Sequence, residues 1–129
     1  MVYNIFVTNN DDHLRNHGFV WDPKLLGWRL SPLYDVTPNT SVAHDRYLHL
    51  SIGPQGKHAH LDNALAAHSL FRLSEKDAAQ TIAQNWEKVR AWKLCFEACG
   101  VPGEQIERVE SAFRHIDDVS SAAVRRKLG

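Results

Sequence analysis

Three residues in the first third of the chain, Asp11, Asn16 and Asp35, have the types and spacing to handle a phosphoryl group. Asp11 stands five residues before Asn16 in "NNDDHLRNHGF" (9–19), and Asp35 follows 24 residues after Asp11 in "LSPLYD". Phosphoryl transfer asks little of a protein: a base that orients the attacking hydroxyl, and hard oxygen ligands that hold a metal against the phosphates. Asp11 is the candidate base, with Asn16 and Asp35 as candidate metal ligands. Taken singly, each serves a turn equally well, because loop Asp and Asn side chains bond their own backbone. The combination says more: D-x-H-x-x-N after an apolar run, then a hairpin, then a Pro-flanked "LSPLYD".

Those residues need elements to position them. "VYNIFV" (2–7) reads as a short buried strand or helix end, a choice periodicity cannot make over so few residues. "GFVWDPKLLGWRLSP" reads as a hairpin, with Asp22-Pro23 opening its turn and Trp21 facing Trp28 across it. Both candidate loops would then meet at one end of that hairpin. Pro32 and Pro38 keep Leu33-Tyr34-Asp35-Val36 extended or turned. "RYLHLSI" (46–52) alternates in polarity like a second short strand, stopping at Gly53-Pro54-Gln55-Gly56.

From about residue 60 the period becomes helical. A helix is expected over "LDNALAAHSLFRL", and a long one from the Ser74 cap to about Cys99, with Gly100 as its C-terminal cap. Pro102 marks the next start, and a last helix is expected near 119–128. Trp86 and Trp92 are expected in the core. Cys95 and Cys99, the only cysteines, are expected as free buried thiols on one helix face.

The totals fit one ordinary domain: 129 residues, 43% hydrophobic, 23% charged and zero formal net charge. A neutral chain lacks the basic face that direct nucleic-acid binding requires. No apolar run reaches membrane-spanning length and no signal peptide is visible, so the expected location is the cytoplasm.

"NNDDHLRNHGF" followed by "LSPLYDVTP" resembles the catalytic and metal-binding loops of HipA-like serine/threonine kinases, toxins of bacterial toxin–antitoxin pairs linked to persistence. The resemblance continues through "YLHLSIG" and the helices to about residue 115. It implies a mainly α fold with one or two small β-hairpins, the C-terminal-lobe portion of a protein-kinase-like fold. Residues 1–57 would carry the catalytic loop, hairpin and metal-binding loop, and 58–129 a helical subdomain. Asp11 then corresponds to the catalytic aspartate, Asn16 and Asp35 to the residues that bind Mg²⁺ and through it ATP. His13 would hydrogen-bond to hold the loop, and Arg15 would contact phosphate or Asp11. The family further implies a HipB-like helix-turn-helix antitoxin and a protein substrate such as glutamyl-tRNA synthetase.

None of the seven glycines forms the G-x-G-x-x-G loop that covers ATP phosphates in a kinase. "GPQGK" (53–57) is a turn, since Pro54 removes an N–H that a phosphate cradle would use. The expectation is therefore a C-terminal piece that is inactive alone and exposes an apolar surface open to self-association. A degenerate lobe that only docks a partner is the non-enzyme alternative. The eight histidines raise a zinc site through His58 and His60, with His44, His49 and His68 nearby, but no cysteine lies close.

Overall fold

The computed structural model describes residues 1–40 and 46–129. In chain order it has α1 (Val2–Val7), the hairpin strands β1 (Phe19–Asp22) and β2 (Gly27–Leu30), then α2 (Leu61–Ala66), α3 (Glu75–Val89), α4 (Trp92–Ala98), α5 (Gly103–Val109) and α6 (Ala122–Leu128), with short 3₁₀ turns between. The mainly α expectation with a small hairpin holds.

Helix, not strand, is the outcome for "VYNIFV". Ile5, Phe6 and Val7 are all fully buried, and three consecutive buried side chains need cover on more sides than a half-exposed strand receives. Tertiary burial overrides the β preference of these residues. Thr8 ends the helix in the left-handed region at φ 55°, and its hydroxyl donates to the Ala112 carbonyl at 2.8 Å. Arg46 also bonds the Thr8 hydroxyl and reaches the Ser111 carbonyl at 3.1 Å. The front of the chain is thus pinned to a segment a hundred residues on. Around α1 the core is filled by Leu61 and Leu65 of α2, Ile82 and Val89 of α3, and Val119 and Val124 near the C-terminus.

Ser74 caps α3 as expected, accepting from the Asp77 N–H at 3.1 Å and donating to its carboxylate at 2.7 Å. The expected long helix is two helices, broken at Arg90–Ala91. Past the break Trp92 stacks on Phe113, ring centroids 4.0 Å apart, with Phe96 edge-on to both. Only that side of α4 is covered, so Cys95 and Cys99 are exposed free thiols rather than buried ones. Trp86 and Trp92 are half-buried; Trp86 lies against Phe6 at 5.5 Å, on the rim of the core. Gly100 does close α4: at φ 76° its N–H reaches Glu97 O, and the Val101 N–H reaches Phe96 O.

The strand expected over 46–52 does not form. The segment 46–59 makes only isolated bridges, Tyr47 to His58 and Gly53 to Gly56. Asn63, fully buried on α2, holds the turn after the expected strand through three bonds to backbone groups of residues 55–58. Its Oδ1 accepts from the Gln55 N–H at 2.9 Å, and its Nδ2 donates to the carbonyls of Gly56 and His58, both at 3.0 Å. Gly53 lies so close to this helix that a Cβ there would fall 2.3 Å from the Asn63 carbonyl. The "GPQGK" segment is a turn, as read.

Candidate functional site

The hairpin brings the two candidate loops together. Its register pairs Phe19 with Leu30 and Trp21 with Trp28, the indole rings edge-on at 5.7 Å. Beyond the last pair, the Ser31 N–H bonds the Gly18 carbonyl at 2.8 Å, closing the base. Residues 31–39 then run back beside 7–18. Tyr34 Oη donates to the Arg15 carbonyl at 2.6 Å, the Asn39 N–H to Val7 O at 3.2 Å, and Asn39 Nδ2 to Asn10 Oδ1 at 2.7 Å.

Across this seam Asn16 and Asp35 touch: Asn16 Nδ2 donates to Asp35 Oδ2 at 3.0 Å. Asn16 is buried at the end of a 3₁₀ turn over Leu14–Asn16, whereas Asp35 is exposed. Asp35 has φ 56°, a left-handed conformation that Asp tolerates better than most residues. Neither Asn16 Oδ1 nor Asp35 Oδ1 is engaged by a hydrogen bond among the described residues. Two hard oxygens from adjacent loops, one charged, fit Mg²⁺, which keeps its waters and substrate phosphates as the remaining ligands.

Asp11 is exposed, and its carboxylate bonds nothing among the described residues; only its carbonyl is used, by the His13 N–H at 2.9 Å. Its neighbour Asp12 behaves oppositely, with a side chain only 15% exposed. One Asp12 oxygen accepts from Asn4 Nδ2 at 2.6 Å and the other lies 2.8 Å from His17 Nε2. Asn4 is itself buried in α1, where its Oδ1 accepts from Asn9 Nδ2 at 3.3 Å. Asp12 therefore bolts the loop to the helix before it, and Asp11 is left projecting.

Sequence reasoning gave no role to Asp12, Asn4 or His17. The available signal was Asn4, a polar side chain inside an apolar run, which had to find a partner once buried. The loop-holding role expected of His13 falls to Asp12. His13 Nδ1 is buried without a hydrogen-bond partner among the described residues, and its ring meets His49 edge-on at 5.8 Å. Arg15 is exposed, and its guanidinium makes no ion pair with Asp11. Asn16 and Asp35 are thus in contact, while Asp11, His13 and Arg15 share the loop without bonding one another through their side chains.

Among the described residues the histidines gather into no metal-ligand group. His58 and His60 stack at 5.4 Å, and His60 Nδ1 lies 3.1 Å from Asp62 Oδ2. No group of three or more His, Cys, Asp or Glu is placed to hold a metal among the described residues; His44 lies outside them. Burial pushes the His60 imidazole below its ordinary value, against the pull of Asp62. Burial also pushes Asp62 up, but bonds from Ser121 and the nearby His60 outweigh it, and the net shift is downward. This pair anchors the last helix, since Asp62 accepts from the Ser121 N–H at 2.9 Å.

Residues 1–93 match the HipA-like C-terminal domain. Comparisons with curated proteins and with solved structures each gave no match. No helix among the described residues is long and apolar enough to cross a membrane.

Proposed function

The chain belongs to the HipA-like C-terminal domain family, and on that premise we propose that it carries the phosphoryl-transfer half-site of a HipA-like serine/threonine kinase. The contact between Asn16 and Asp35, two motif residues 19 positions apart, is the observation that carries the reading.

Asp11 is the base. Its free, exposed carboxylate can accept a hydrogen bond from a substrate serine hydroxyl, orient its lone pair toward the phosphorus, and take the proton as the bond forms. Asn16 Oδ1 and the Asp35 carboxylate would hold Mg²⁺ of Mg·ATP. When bound, the metal offsets the charge on the phosphate oxygens. Arg15, exposed and with no guanidinium partner among the described residues, supplies a group suited to a phosphate oxygen. Tyr34 and Asp12 act on other residues: Tyr34 fixes the distance between the loops, and Asp12 fixes the loop to α1. By family, the complete enzyme acts on a protein such as glutamyl-tRNA synthetase and is bound by a HipB-like antitoxin. Acting alone, the chain is expected to give no turnover, because its glycines form no loop to position ATP.

A second reading, a non-catalytic lobe that docks a partner, is favoured by the exposed apolar hairpin. Calorimetric titration of the chain with Mg·ATP separates the two. The half-site reading expects binding that is lost in Asp35→Ala and kept in Asp11→Ala, since a base is not a ligand. Absence of binding to the unaltered chain overturns it and leaves the docking lobe.

A further inference from the structure

The hairpin carries an apolar face that no described residue outside it covers. Strand alternation and the register put Phe19, Trp21, Trp28 and Leu30 on one face, and Val20, Asp22 and Arg29 on the other. Both faces are open to water, Val20 and Arg29 on the second included, and on the apolar one Phe19, Trp21, Trp28 and Leu30 are 64, 51, 69 and 61% exposed. At the tip Leu25 and Leu26 are 71 and 79% exposed. Isolated two-stranded hairpins are marginally stable without a layer packed on them.

We propose that this face is a homodimer interface, covered by the same face of a second copy of the chain. Three observations select that occupant. The first is area. With large side chains covering about 150–250 Å² each, the quartet exposes about 500 Å² per copy. Two copies meeting over the whole face would bury about 1,000 Å², about what a specific interface needs. Charge is the second. Asp22 and Arg29 pair at 3.1 Å on the far face, so the apolar face carries no charge, and a chain of zero formal net charge does not repel its copy. The third is self-complementarity. Two cross-strand pairs, Trp21 with Trp28 and Phe19 with Leu30, can meet their own copies across a two-fold axis as a small aligned sandwich.

The proposal stands apart from the kinase reading, because it needs neither metal nor nucleotide. Its consequence for the candidate site is positional. Phe19 lies three residues after Asn16, and Leu30 five before Asp35, so the dimer contact would form directly over the base that carries both loops.

Sedimentation equilibrium of the full chain from low to high micromolar concentration tests it. The expected result is a molar mass that doubles with concentration, accompanied by a blue shift of tryptophan emission. Trp28→Lys and Leu30→Lys should each weaken association by about tenfold or more. Val20→Lys, on the opposite face of the same hairpin, and Leu94→Lys, on α4, should leave it unchanged. Monomer at every concentration overturns the proposal. So does a dimer that survives both Trp28→Lys and Leu30→Lys, or one that Val20→Lys disrupts as strongly.

Discussion

Asp11 and Asp12 are adjacent, chemically identical and placed for opposite purposes, which makes their separate removal the sharpest check on the site. In Asp12→Ala the buried Asn4 amide loses an acceptor at 2.6 Å. A hydrogen bond to a charged group is worth about 1.5–3 kcal/mol, and a buried donor left unmet accounts for much of that. The His17 contact adds at most about 0.5 kcal/mol, because His17 is 36% exposed and solvent screens the pair. The expected cost is about 2–3 kcal/mol, roughly a 6–12 °C fall in melting temperature for a domain of this size. Asp11→Ala removes an exposed carboxylate that bonds nothing among the described residues, and should change stability by less than about 0.5 kcal/mol. Urea unfolding followed by tryptophan fluorescence measures both. The reasoning is refuted if Asp12→Ala is as stable as the unaltered chain, or if Asp11→Ala is the more damaging substitution. Either result would exchange the anchoring and catalytic assignments of the two acids.

Asn63→Ala removes all three bonds that shape residues 53–58. At about 0.5–1.5 kcal/mol per net bond, it should cost about 2–4 kcal/mol in the same denaturation experiment, with faster amide exchange at Gln55. Gly53→Ala should be destabilising by about 1–3 kcal/mol, because the new methyl meets the Asn63 carbonyl backbone at 2.3 Å; chemical unfolding reads this directly. Stability should also fall on mild acidification. His60 has a folded pKa below its unfolded value near 6.5, so the unfolded chain binds the proton first as pH drops, and stability declines from about pH 6.5 down through the folded value. Asp62, also lowered, keeps its contribution until pH falls through the carboxylate range below 3.8. Melting temperatures from pH 7.5 to about 5.5 should flatten in His60→Gln; an unchanged slope would place the acid sensitivity elsewhere.

Local signals in the sequence determined a good part of this protein. The hairpin with its Trp21–Trp28 pair, the Ser74 cap and the Gly100 terminus all follow from nearest-neighbour chemistry: turn residues, a short side chain reaching its own backbone, a residue free to adopt positive φ. The family was legible for a similar reason, because Asp11, Asn16 and Asp35 sit at fixed spacings on one stretch of chain.

Only the tertiary structure decided the rest, wherever distant groups compete for the same atoms or the same cover. "VYNIFV" became helical because the core encloses three consecutive side chains. The expected strand at 46–52 is reduced to isolated bridges, and the turn after it is held by Asn63, whose amide reaches that backbone from another element. The long helix broke where Trp92 found Phe113, and the same break left both thiols in water. Spacing to Asn16 marked Asp11 in the sequence but left its neighbour Asp12 without a role. That role comes from a buried Asn4 amide eight residues away, which Asp12 satisfies, and this is a fact of packing rather than of sequence.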